Sequence, residues 1–164
     1  MNEELKIVKT EIYDKCSFKF SDFLLEEESQ DYDACRFKLN GLNIISRTAK
    51  VTPKKNGQFV TFWRRSEDGP IEPLHETDRF DFYIVQVRLG KKFGQFVFPK
   101  SILIKKGILS TDIKEGKRAF RVYPIWDTPK SKQAERTQKW QLKYFYDIIN
   151  SLALDRVIEL YKAE

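Results

Sequence analysis

The side chains in this sequence best suited to chemistry are cations and aromatic rings. Lys50, Lys54 and Lys55 fall in or beside a Pro/Asn/Gly stretch, Arg64 and Arg65 close an apolar run, and Arg118 and Arg121 lie around Tyr123 and Trp126. Arginine offers phosphate a planar fork with two parallel hydrogen bonds, and each phosphate neutralised releases counterions. These residues are the expected phosphate contacts, with Lys100 and Lys117 behind them. Tyr123, Trp126 and Trp140 are near basic residues and have the flat faces on which unpaired bases stack, a mode that suits single-stranded DNA or RNA better than a closed duplex. Core packing competes for each ring. Gln133, Gln138 and Gln141 share a helical stretch with Lys132, Arg136 and Lys139, either as a polar edge or as contacts to sugars and bases. Gln86 and Arg88 end an otherwise apolar alternation and are expected to open into a polar cleft.

Charge distribution points the same way. The net charge is +6, yet residues 1–35 hold four basic and ten acidic side chains, whereas the remainder carries a net +12. From Arg36 to Ser66 there are eight Lys or Arg and no carboxylate, and from Phe82 to Thr111 six more, again with none. Long acid-free blocks imply a positive field and a polyanionic partner, DNA or RNA. Other classes recede. Cys16 and Cys35 have no CxxC spacing, and His75 is the chain's one histidine, so a cysteine/histidine zinc site is not expected. His75 also has no legible partner for general-base work. No metal and no cofactor are anticipated. Neither a secretory signal nor an apolar membrane span of about 18 residues is legible, so the expectation is a cytoplasmic protein without a membrane partner.

These residues need an α/β scaffold to position them. At 164 residues and 41% hydrophobic composition, one domain spanning 1–164 is expected. It should hold a central mixed sheet of four to six strands flanked by helices, with the acidic segment 1–35 packed on it as helix. Residues 81–100 read as the central hairpin, with Phe82, Ile84, Gln86 and Arg88 on one face and Tyr83, Val85 and Val87 on the other. Residues 2–16 read as an amphipathic helix, 17–30 as a turn and a second short helix, and 37–51 as two strands about Asn40-Gly41. A loop at 52–57, a strand at 58–65 and an irregular 66–78 follow. Residues 101–109 form a short apolar segment and 118–126 the last strand. A helix capped at Thr128-Pro129 runs to about Ile149, with Ala134, Leu142, Phe145 and Ile149 inward; Asn150-Ser151 ends it, and a short helix closes at 152–161.

Several separated stretches resemble one family. Ala49 through Lys55, Gly57 through Trp63, Gly94 through Lys100, Gly116-Lys117-Arg118, Arg121-Val122-Tyr123-Pro124 and Gln133 through Trp140-Gln141 occur in the order seen in MepB proteins. The resemblance covers roughly residues 32–146. It implies a small bacterial cytosolic protein, a fold similar to PD-(D/E)xK restriction endonucleases, and nucleic-acid binding; members can sit beside multidrug-efflux genes. Nucleases of that fold hold a hard divalent cation with two carboxylates and use a nearby lysine. The corresponding strand end here reads Gln86-Val87-Arg88. An amide is a weaker Mg²⁺ ligand, and arginine stays protonated. Taking Asp81 as the metal aspartate puts Gln95-Phe96-Val97 in the triplet, again without a carboxylate, and Asp81 has opposite parity to Gln86. The expectation is a nuclease-like scaffold with a degenerate site. The alternative is an active divalent-metal-dependent nuclease using Asp78, Asp81 or Glu76. The plainer use of Asp78 and Asp81 is to cap backbone groups.

Overall fold

Two strands with nearly every residue buried lie at the centre of the fold: β8 (Phe82–Leu89) and β9 (Lys92–Pro99), antiparallel in register from Phe82 opposite Pro99 to Leu89 opposite Lys92. The structure, a computed structural model, describes residues 1–149 and 154–162. Around the hairpin a mixed sheet of six strands is ordered β1-β2-β3-β8-β9-β11, comprising also β1 (Phe20–Leu25), β2 (Cys35–Leu39), β3 (Leu42–Thr48) and β11 (Phe145–Asp147). Only β3 and β8 run parallel, so the chain must cross over between them. That crossover, residues 49–81, contains β4 (Lys50–Thr52), β5 (Lys55–Thr61) and the small hairpin β6 (Trp63–Arg65) with β7 (Ile71–Pro73). Strand β10 (Ala119–Val122) pairs with β5 to complete a second, three-stranded sheet ordered β10-β5-β4.

The alternation expected for β8 sorts two cores. Phe82 and Ile84 join Ile44, Phe93 and Val97 on one face, beneath Leu5 and Val8 of α1 (Glu3–Val8), Ile12 and Tyr13 of the π-helical turn that continues it, and Val157 and Leu160 of α4 (Leu154–Leu160). Tyr83, Val85 and Val87 face the other way, with Phe96 and Phe98, against Val60 of β5, Phe62 between β5 and β6, Phe120 and Val122 of β10, and Leu103 of α2 (Lys100–Lys105). Trp140 of α3 (Lys132–Gln141) packs on this second core.

Several expectations are corrected. Residues 20–25 form edge strand β1, not a helix; a bulge between Ser21 and Leu24, with Asp22 at φ 55°, breaks the alternation that would have marked it. Residues 52–57 are no open loop but the tight end of the β4–β5 hairpin, and residues 58–65 belong to two strands meeting at Phe62. Strand β7 interrupts the irregular stretch, residues 100–105 are helical, and β10 is not the last strand. Helix α3 starts later than Thr128: Ser131 is its cap, its Oγ accepting the Ala134 N–H, and the chain leaves the helix at Leu142 for a single 3-10 turn and β11. Phe145 is thus buried from a strand, and Ile149 is exposed. Asn150-Ser151 and the start of the expected closing helix lie outside the described residues.

Candidate nucleic-acid interface

Gln86 and Arg88 do not open into a cleft. Helix α1, the π turn and α4 cover that face, leaving Gln86 1% exposed. Its Nε2 donates to Ser46 Oγ at 3.0 Å and the Arg47 carbonyl at 3.2 Å, and its Oε1 accepts from Gln95 Nε2 at 2.8 Å. Gln95 Oε1 in turn accepts from Tyr146 at 2.7 Å and Tyr161 at 2.9 Å, and the Tyr13 and Tyr161 hydroxyls bond each other. A fully buried amide needs such partners on both ends. Burial pushes the phenols of Tyr13, Tyr146 and Tyr161 well above their ordinary range, which keeps this network neutral. Arg88 lies over the Phe93 ring at 4.4 Å with its Nε 3.6 Å from Glu4.

Two of the three carboxylates considered for a metal, Asp78 and Asp81, accept backbone N–H groups. Asp81 Oδ2 accepts the Asn43 N–H at 2.7 Å, and Asp78 Oδ2 accepts the His75 N–H at 2.8 Å and Arg64 Nε at 3.0 Å. His75 Nδ1 accepts the Thr77 N–H at 3.1 Å, and its Nε2 lies 3.4 Å from Asp112. Among the described residues no three His, Cys, Asp or Glu side chains are grouped to hold a metal ion.

In three dimensions the first basic block is no longer acid-free. Glu26 meets Arg47 at 2.8 Å and Arg36 at 3.8 Å, Glu28 meets Arg65 at 3.1 Å, and Glu72 meets Arg64 at 2.6 Å. Arg118 is 3.2 Å from Glu115. Lys100 turns inward, donating to the Asp78 carbonyl at 2.6 Å and lying over Phe80. Trp126 packs edge-on against Phe145 as a core ring. Lys50 sits over the Tyr32 ring, and Lys54 and Lys55 are exposed at the β4–β5 turn.

Four of the expected site residues do come together. Lys117, Arg121, Tyr123 and Trp140 line a cleft of about 410 Å³ between β10 and α3, with Lys106, Phe120, Ser131, Gln133, Thr137 and Gln141. No carboxylate lines it. Each wall has a local cause. Gly116 lets its loop lie on the 108–110 backbone, where an added Cβ would come within 2.2 Å of the Ile108 carbonyl; the Gly116 N–H reaches Ser110 Oγ and the Lys117 N–H reaches the Ile108 carbonyl. Gly57, at φ +77°, makes room for Tyr123, whose ring would lie 2.7 Å from a Cβ there. Arg121 fixes the β4–β5 hairpin, donating to Thr52 Oγ1 at 2.8 Å and to the Asn56 and Gly57 carbonyls. Gln141, fully buried, clamps the free edge of β10: its Oε1 accepts the Tyr123 N–H at 2.8 Å and its Nε2 donates to the Arg121 carbonyl at 2.9 Å. Gln138 similarly holds the Pro124 and Asp127 carbonyls, so both glutamines serve the fold and Gln133 is the one left for a ligand. Burial pushes the Asp127 carboxyl up, opposed by its bond to Gly57 and by Lys92.

Sequence reasoning passed over Lys106, whose Nζ lies 5.4 Å from the centroid of the Trp140 ring; only the docking of α2 beside α3 creates that pair. The stretches 116–118, 121–124 and 133–141 each supply residues to this cleft. The profile of the MepB-like family matches residues 26–147. The chain belongs to the MepB-like family. A crystal structure of MepB is similar to it with a TM-score of 0.79 at 37% identity, covering 92% of this chain and 99% of that one. A bacterial homing endonuclease aligns over 79% of this chain and 81% of its own, at 18% identity and a TM-score of 0.41. No curated protein sequence matches. Among the described residues, no helix is long and apolar enough to cross a membrane.

Proposed function

We propose that this member of the MepB-like family binds nucleic acid, single strands in preference to duplex, in the cleft between β10 and α3, and does not cleave it. The observation that carries the reading is the lining of that cleft: Lys106, Lys117 and Arg121 with Tyr123 and Trp140, and no acid. Cations without counter-charges attract phosphate, and aromatic rings beside them accept the face of an unpaired base whatever its identity. A stacked duplex offers its edges and phosphates but not its base faces, hence the preference. Donor chemistry supports the absence of cleavage. Gln86 is closed off inside the fold, and Asp78 and Asp81 are already taken up by backbone N–H groups.

Fluorescence anisotropy with single-stranded DNA, RNA and duplex probes over a salt series tests this. Affinity should fall with salt at a log–log slope of about −0.7 per phosphate contact for single strands. Lys106→Ala combined with Lys117→Ala, both at exposed positions, should weaken binding about tenfold or more, since a charge-assisted contact contributes roughly 1.5–3 kcal/mol. Salt-insensitive or absent binding, or strand cleavage on adding Mg²⁺ or Mn²⁺, overturns the proposal.

A further inference from the structure

We infer that the solvent face of α3 is a phosphate track for the strand that leaves the cleft, an inference that rests on the nucleic-acid reading above. Lys132, Arg136 and Lys139 recur along α3, and Lys143 continues the series in the 3-10 turn that follows. All four are exposed. At about 100° per residue they lie within about 60° of one another around the helix. Gln133 and Trp140, which line the cleft, are next to them on one flank; Glu135, the helix's single acid, is on the other. The stripe therefore adjoins the cleft on its acid-free side and runs along the helix for about 16 Å, room for several consecutive phosphates.

The pairing pattern separates this stripe from an ordinary solubilising surface. Arg36, Arg47, Arg64, Arg65, Arg88 and Arg118 each meet a carboxylate. The N-terminal helical segment intersperses signs, with Lys6 beside Glu3 and Lys15 beside Glu11. Lys132, Arg136, Lys139 and Lys143 have no such partner among the described residues, although like charges at helical i, i+3 and i, i+4 spacing cost the helix about 0.2–0.5 kcal/mol per pair. A polyanion lying along the stripe would relieve that repulsion, and continuity with the cleft supplies the strand.

The test compares wild type, a stripe variant (Lys132→Gln, Arg136→Gln, Lys139→Gln, Lys143→Gln) and a control of equal charge change at exposed positions outside the cleft (Lys6→Gln, Lys15→Gln, Lys19→Gln, Lys91→Gln). The probes are an oligothymidylate of about twelve nucleotides and a thymidine dinucleotide short enough to occupy the cleft alone. With the long probe, the stripe variant should lose about tenfold or more in affinity, and its salt slope should shrink by about 1.4–2.1, the loss of two or three phosphate contacts. Dinucleotide binding should stay within about twofold of wild type, and the control should keep the wild-type slope. Thermal midpoints of the stripe variant no lower than wild type confirm that the fold is intact, as removal of like charges requires. An unchanged slope in the stripe variant, or an equal loss in the control, overturns the track and leaves the cleft standing. Failure of wild type to bind either probe removes the cleft reading itself.

Discussion

At Gln86 both ends of one amide are in use, the nitrogen on Ser46 and the Arg47 carbonyl, the oxygen on Gln95. A carboxylate has the same shape but cannot donate, so Gln86→Glu would set an oxygen against the Arg47 carbonyl and bury a charge. The substitution should restore no metal-dependent cleavage and cost about 1–3 kcal/mol of stability. The cost should grow with pH. Burial raises the carboxyl's folded-state pKa above its unfolded value, so the protonated form is the tolerated one, and stability falls as pH climbs past the unfolded value of about 4.3. Urea titrations in mildly acidic and mildly alkaline buffer measure this; equal stability in both, or nicking with Mn²⁺, would refute it. The side chain's parity was legible from alternation, and so was the neutrality of its amide. Its burial was not, because the cover over that face comes from residues 3–13 and 154–161, at the far ends of the chain.

Among elements, the N-terminal segment closes the core on the Phe82 and Ile84 face of β8. Leu5, Val8, Ile12 and Tyr13 are all at most 1% exposed, packed against β8, β9 and α4. Each large apolar side chain so buried contributes about 1.5–3 kcal/mol, and the set rivals a typical domain's net stability of about 5–15 kcal/mol. Deleting residues 1–16 should therefore give a chain without cooperative thermal unfolding, not a folded protein of altered oligomeric state. Circular dichroism melts would show it, and a sharp transition within a few degrees of wild type would disprove it. The amphipathic helix and the 81–100 hairpin were legible because each repeats its own period over enough residues. The start of α3 was not: Thr128-Pro129 and Ser131 both carry capping chemistry, and the Thr128 carbonyl is instead taken by the Asn56 side chain.

For the molecule as a whole, counting charges along the chain located too much free cation in the first basic block. Glu26, Glu28, Glu72 and Asp78 return to Arg36, Arg47, Arg64 and Arg65 only once the sheet has formed, and the unpaired charge is left around α3 and the β4–β5 turn. The same assembly encloses four tyrosines, Tyr13, Tyr83, Tyr146 and Tyr161, each at most 6% exposed. Burial pushes every one of these phenols well up, and the Cys35 thiol to about 11. The sign follows from proton counts. Above the unfolded tyrosine value of about 10 the open chain has released protons that the native chain still holds, so stability is full below that pH and falls as pH rises. Each tyrosine contributes a loss of about 1.4 kcal/mol per pH unit, and four together exhaust a typical domain's stability within a few units. Alkaline titration should therefore show the phenolate absorbance of these four rings rising in step with the loss of far-ultraviolet dichroism. Phenolate signal from all seven tyrosines at about pH 10, with the dichroism intact, would mean that both cores open to water without unfolding the protein.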